Sequence, residues 1–356
     1  MDAPPESIEL YCRAAHEYKA SDLILHVGEP PIVRVSGSIT PMEAPVVTRE
    51  DLIAFRNACG VPVTSTDHDA RFISSEGVRF RVNFHDHFGG QGAVLRRINS
   101  VIPDIHTLGV PSLPLCEIMK RRSGILIVSG STGSGKSTTI ASLLDWVNQN
   151  LERHIVTIED PVEFIFEKNR SLFTQRAVGI DTANFAEGLR RALRQAPDII
   201  MVGEIRDAET ASVALRAAQT GHLVVASLHT NDAPGVLYRI VENFPGDEQE
   251  QILGLLANTL CAILSQRIFL SEDEKNHVMV TELLTNNSAV ASCIRDRRFE
   301  QIVGLMEIGR KDGMHTFDDM LEKLYLERRI SKEDAVAGAR DRFRIEGLLR
   351  SLPNLQ

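Results

Sequence analysis

The chain changes rhythm near residue 105. From there to about residue 270, short unbroken apolar runs alternate with segments whose apolar positions recur every three or four residues. The runs are "GILIVSG", "HIVTIED", "DIIMVGE" and "HLVVASLH". Each is long enough for one strand buried on both faces. Between them, Lys136–Val147 keeps Ile140, Leu143, Leu144 and Val147 at helical spacing. Asp207 to Gln219 reads as a second helix, stopped at Gly221. Strand–helix alternation of this kind predicts an α/β core with a largely parallel sheet covered on both faces.

The flanking regions read differently. Residues 1–100 form an α+β unit: a helix-like opening (Ile8 to Ala20) is followed by alternating stretches broken at Gly28–Pro31 and Gly37. "VRFRVNFHDHFGGQGAVLRRI" predicts a hairpin with Gly89, Gly90 and Gly92 at or near its turn. "VIPDIHTLGVPSLP", residues 101–114, is the expected linker, residues 115–270 the core, and residues 271–356 a mostly helical region. There, Thr316 and Asp319 form a capping-box-like start with Phe317, Met320, Leu321 and Leu324 on one face, and Ser331 opens a further helix.

Composition narrows the function. Apolar residues make up 43% of the 356, enough for ordinary cores, and aromatics only 5%, so those cores should be aliphatic. Thirty-nine Lys and Arg against 48 Asp and Glu give a net charge of −9, which disfavours direct nucleic-acid binding because phosphate contacts need clustered cations. The five cysteines are scattered without a CxxC pair, so reduced and mostly buried thiols are expected and no zinc ribbon. No secretory signal is expected at the N-terminus. No apolar run approaches the roughly 18 residues of a membrane span.

The candidate chemistry begins with "GSTGSGKSTT", which fits the pattern Gly130-x4-Gly135-Lys136-Ser137. A buried strand precedes it and an amphipathic helix follows. Backbone N–H groups across Ser131, Thr132, Gly133, Ser134, Gly135 and Thr138 can wrap phosphates. Lys136 would reach the terminal phosphates and Ser137 would bind Mg²⁺. In "DIIMVGEIRD" a strand delivers Glu204 to the carboxyl edge of the sheet, where it can hold the metal's shell. "VTIEDPVEF" offers Glu159, Asp160 and Glu163, any of which spacing would allow to orient or deprotonate a water. "TGHLVVASLHT" places His222 and His229 at the two ends of one strand, seven positions apart and so on opposite faces. His85 and His87 lie two apart, with no third metal ligand obvious near them in sequence. Arg79, Arg81, Arg96 and Arg97 are candidates to reach a neighbour's nucleotide in a ring, although such residues more often form solvated strand faces.

Four motifs in fixed order, GSTGSGKSTT, IVTIEDPVEF, LRQAPDIIMVGEIRDAETA and TGHLVVASLHTNDA, resemble those of the type II/type IV secretion ATPase family. The likeness covers nearly the whole chain and is nearest to the branch that retracts type IV pili. It implies a RecA-like P-loop ATPase core, a PAS-like N-terminal domain and C-terminal helices. It implies ATP and Mg²⁺ as cofactors. The implied roles are Lys136 and Ser137 as the Walker A lysine and metal ligand, Glu204 as the Walker B glutamate, Glu163 as catalytic base, and His222 and His229 as the His-box pair. Arg81 and Arg96 sit in stretches resembling those that supply arginine to the adjacent subunit, and Arg176, in "QRAVG", matches a further slot of the pattern.

The retraction branch lacks the longer N-terminal region and four-cysteine site of assembly and type II motors, and neither is found here. Its AIRNLIRE stretch corresponds to "AVASCIRD", which has Ala291 in place of an arginine. Ala196 stands where an acid is usual and Ser131 replaces a common proline. The expected assembly is a cytoplasmic homohexamer docked on an inner-membrane platform protein. Rival readings are another secretion motor, a DNA-translocating RecA-like ATPase or a nucleotide-binding regulator.

Overall fold

The computed structural model describes residues 4–35, 37–62, 66–98, 101–272 and 276–351, the last few as backbone only. They group into two compact units. One comprises residues up to Val101 together with Val162–Ile165, and the other Ile102–Pro161 with everything from Phe166 onward.

In the first unit the order is α1 (Glu6–Glu17), β1 (Asp22–His26), β2 (Ile32–Val35), β3 (Ser38–Pro41), α2 (Arg49–Ala58), β4 (His68–Ile73), β5 (Arg79–His87) and β6 (Gly90–Arg97). The strands form one antiparallel sheet in the order β3-β2-β1-β6-β5-β4. Strand alternation explains its two faces. Phe80, Val82 and Phe84 of β5 pack with Leu23, Leu25 and Leu95 against Ile8 of α1 and Leu52 and Phe55 of α2. The other face carries a charged row: cross-strand register sets Arg34, Asp22, Arg96, Arg81 and Arg71 side by side over five strands.

The same register brings a third histidine to His85 and His87. His26 and His85 both pair with Gly92, and the His26 ring lies 5.8 Å from that of His85 and 4.4 Å from that of His87. A side chain at Gly92 would intrude between them, since its Cβ would stand 2.8 Å from both His26 and His85. Even so, no group of three ligating side chains among the described residues is arranged to hold a metal.

The second unit runs α3 (Ser112–Met119), β7 (Gly124–Ser129), α4 (Lys136–Asn150), β8 (His154–Glu159), β9 (Leu172–Ala177), α5 (Phe185–Ala192), β10 (Ile199–Val202), α6 (Ala208–Gln219), β11 (Leu223–Leu228), α7 (Ala233–Glu242), α8 (Gly246–Thr259), β12 (Leu260–Leu270), β13 (His277–Thr285), α9 (Ser288–Arg295), α10 (Ile302–Ile308), α11 (Phe317–Leu326), α12 (Lys332–Gly338) and α13 (Arg342–Ser351). A 3-10 turn at Ile105–Thr107 precedes it. The sheet order is β13-β12-β7-β11-β10-β8-β9, and only β13 runs antiparallel to its neighbour. Alternate residues of β7 face opposite layers. Ile125 and Ile127 meet α6, α7 and α8, while Leu126 and Val128 meet α3 and α4. Truncating one such side chain to alanine costs about 2–5 kcal/mol. The sheet therefore extends past residue 270, through β13, into the region expected to be mostly helical. The capping box at Thr316 and Asp319 is formed, and Ser331 caps α12. All five cysteines are unpaired. Among the described residues no helix is long and apolar enough to cross a membrane.

Candidate nucleotide site

Because β7, β8, β10 and β11 are parallel, their carboxyl ends deliver four polypeptide turns to one edge of the sheet. The first is the loop Gly130–Gly135 between β7 and α4. Gly130 has φ 150°, and a Cβ there would lie 2.4 Å from both the Gln266 carbonyl and Ser134 Oγ. Gly135, at φ 83°, turns the chain into α4, whose first residue is Lys136. Ser131, Thr132 and Gly133 are exposed at the tip, Ser134 is buried at its base, and Ser137 and Thr138 lie half-buried in the first turn of the helix. The loop is braced from β12: the Gln266 side-chain amide donates to the Ser134 carbonyl at 2.6 Å, and Ser129 donates to Ser265 at 2.9 Å.

Lys136 is buried, and its ammonium donates to the carbonyls of Gly130 (2.8 Å) and Ser131 (2.9 Å). His229, just past β11, brings Nδ1 to 3.4 Å from that ammonium and Nε2 to 3.4 Å from Glu204. Glu204, two residues past β10, also accepts from Arg206 Nε at 2.7 Å, and Arg206 lies 3.7 Å from Asp160. This hydrogen bond, with the nearby carboxylates, holds the Arg206 guanidinium above its ordinary pKa. Lys136, His229, Glu204, Arg206 and Asp160 thus form a chain of alternating character along the edge. A neutral imidazole with its proton on Nε2 would satisfy both neighbours of His229.

Three of the remaining candidates lie elsewhere in the second unit. Glu159 is buried and accepts from Thr157 (2.5 Å) and Gln175 (3.2 Å), so it is held within the sheet. His222 precedes β11, at the opposite edge from His229, with its Nδ1 3.2 Å from the Ala217 carbonyl. Seven residue spacings at about 3.3 Å each separate the two histidines by about 23 Å, so His222 is not brought to the loop of its own chain. Arg176 lies on the edge strand β9 and donates to the carbonyls of Gly188 (3.3 Å) and Asp181 (2.9 Å), which fastens the turn before α5. Four strand spacings put β9 about 19 Å from β7.

The other candidates belong to the first unit. Glu163 is exposed on the Val162–Ile165 segment. Arg81 pairs with Asp69 at 2.9 Å, and Arg96 with the buried Asp22 at 2.7 Å.

The loop, its buried ammonium and the acid past β10, two strands from β7, together make a candidate phosphate-binding site. The sequence model of the family described as "Type II/IV secretion system protein" matches residues 68–341. The chain belongs to the type II/IV secretion system protein family. It is 38% identical to the type IV pilus ATPase PilU of Pseudomonas aeruginosa over 93% of this chain and 88% of that one. It is also 38% identical to the type IV pilus retraction ATPase PilT of the same organism, over 89% and 93%. The crystal structure of the pilus retraction motor PilT with bound ADP superposes with a TM-score of 0.86 at 39% identity, covering 96% of this chain and all of the other.

For this secretion ATPase, two site residues escape sequence reasoning. Arg206 stands two positions after Glu204 in "EIRD", and an arginine following an acid on a turn carries no signal of its own. Gln266 is 132 residues from the loop it braces, and only the pairing of β12 with β7 puts it there.

Proposed function

We propose that this chain is the ATP-hydrolysing motor of type IV pilus retraction. The observation that carries the reading is the convergence of the Gly130–Gly135 loop, Lys136, Glu204 and His229 on one sheet edge, in a chain alike over its length to PilT.

The donor set suits MgATP. The loop N–H groups and Lys136 match phosphate oxygens, and the Ser137 hydroxyl and Glu204 carboxylate are hard oxygen ligands of the kind Mg²⁺ takes. Bound there, Mg²⁺ would neutralise charge on the terminal phosphates. Lys136 would exchange its loop carbonyls for phosphate oxygens. Glu163 would accept a proton from the attacking water, and Glu204 and His229 would sense the terminal phosphate. Arg81 and Arg96 would leave their carboxylate partners to reach a neighbouring subunit's nucleotide, which accounts for a homohexameric ring as the working unit. His222 and Arg176, remote from their own loop, are assigned to the same inter-subunit communication. Changes in the relation between domains on hydrolysis would turn an inner-membrane platform protein and withdraw pilin from the fibre. The motor would work in the cytoplasm, docked through that partner.

The test is deletion of this coding sequence alone, followed by a count of surface pili. Retraction predicts more pili and lost twitching. Fewer pili would make the chain an extension motor and overturn the assignment.

A further inference from the structure

The loop that carries His229 is fastened a few residues later to the C-terminal helices. Thr230 and Asn231 lead to Asp232, which caps α7 by accepting the Gly235 N–H at 2.8 Å. Three side chains outside the nucleotide site close on this short connection. Arg267 of β12 donates to the Asn231 carbonyl (3.2 Å) and to the Gly338 carbonyl at the end of α12 (3.0 Å), with its guanidinium 4.1 Å from the ring centre of Phe317 on α11. Arg340 donates to the second oxygen of Asp232 at 2.5 Å. The backbone N–H groups of Arg340 and Asp341 go to the two oxygens of Asp318, on α11 (2.8 and 3.0 Å). Glu282 of β13 is 1% exposed and accepts the Ala233 N–H at 2.8 Å.

We infer that Arg267, Arg340 and Glu282 are positioning residues, a clamp through which α11 and α12 set the place of His229 during hydrolysis. Asn231, Asp232 and Ala233 are two, three and four positions from His229, so the connection has little slack. Both contacts of His229 stand at 3.4 Å, just outside the 2.7–3.2 Å range of a good hydrogen bond. A shift of a few tenths of an ångström at the clamp therefore makes or breaks them. Arg340 pairs with the half-buried Asp232 while the buried Glu282 holds the N–H of the next residue, so two successive residues of the connection are fixed from outside it.

The inference rests on the reading that His229 takes part in turnover, and the test separates the two. The full chain would be purified as wild type, Arg340→Ala, Arg340→Lys, His229→Ala and the Arg340→Ala/His229→Ala pair. Turnover, KM and the affinity for a fluorescent ATP analogue would be measured for each. Arg340 is partly exposed, so its truncation leaves the folded chain intact, which a melting curve checks. The expected result is a kcat about ten-fold lower in Arg340→Ala with analogue affinity kept, partial recovery in Arg340→Lys, and no further loss when Arg340→Ala is added to His229→Ala. An equal loss in both backgrounds, or a wild-type kcat in Arg340→Ala beside a lowered one in His229→Ala, would overturn the clamp. An unchanged kcat in His229→Ala would remove the reading of His229 and the clamp with it.

Discussion

The imidazole of His229 lies 3.4 Å from the ammonium of Lys136, although 93 positions separate them in the chain. The parallel pairing of β7 with β11 produces this meeting, because it sets the ends of both strands at one edge. The ammonium at the base of the loop is thereby tied to the strand that carries His229, and through His229 to Glu204.

Lys136→Ala removes the buried ammonium held at the loop while leaving the Gly130 and Ser131 carbonyls in place. ATP turnover should fall by about 10²–10³-fold, the usual loss for a charged donor to a developing negative charge. Steady-state phosphate release checks this. A loss below about three-fold would mean that Lys136 does not meet phosphate.

Glu282 makes a pH prediction with a definite sign. Burial raises its carboxyl pKa from an ordinary 4.5 to about 7, and the Ala233 N–H and Arg340 only partly oppose this. Between those two values the folded chain holds a proton that the unfolded chain has lost. Stability is therefore lost as pH rises through that window and levels off above it. Glu282→Gln cannot ionise and escapes the loss. Its melting temperature relative to wild type should climb between pH 5 and pH 8, whereas a difference that stays constant would contradict the burial argument. His315, half-buried, is held below its ordinary range by desolvation, but it contributes alike to both proteins.

Ala291 is the position where the retraction pattern has arginine. It is 9% exposed on α9 and packs in the core with Val290 and Ile294, while Asn287 caps the helix at 3.0 Å. Restoring the arginine should destabilise this chain by about 1–3 kcal/mol through overpacking and a half-buried charge. Thermal melting of Ala291→Arg reads this directly. An unchanged melting temperature with raised turnover would show that the site accepts arginine and that the alanine is a loss of function.

Much of the fold could be read from hydrophobic rhythm. The strands β7, β8, β10 and β11 are unbroken apolar runs between glycines and helix caps, and the structure forms all four. Three others hide for physical reasons. β9 is an edge strand with half-exposed residues and an exposed Leu172, so it lacks a buried pattern. β12 follows α8 with no intervening residue, and "LLANTLCAILSQRIFL" holds no glycine or proline to mark the change of conformation at Leu260. β13 lies beyond that stretch, in a region dominated by helical spacing.

At the site, the loop and the acid at the strand end were legible because each is local. Spacing does not separate Glu159 from Asp160 and Glu163, because what sets it apart is burial: Glu159 is 6% exposed and the other two are exposed. The partners that arrive by sheet register, Gln266 under the loop and His26 beside His85, leave no mark in the sequence near the residues they join.

The most direct measurement is a count of surface pili in cells whose only change is Glu204→Gln in this chain. The substitution keeps the side chain's shape and its place beside His229 and Arg206 but removes the charge. Retraction driven by hydrolysis at this site predicts cells crowded with pili that no longer twitch. Cells with wild-type pilus numbers and normal twitching would contradict the account.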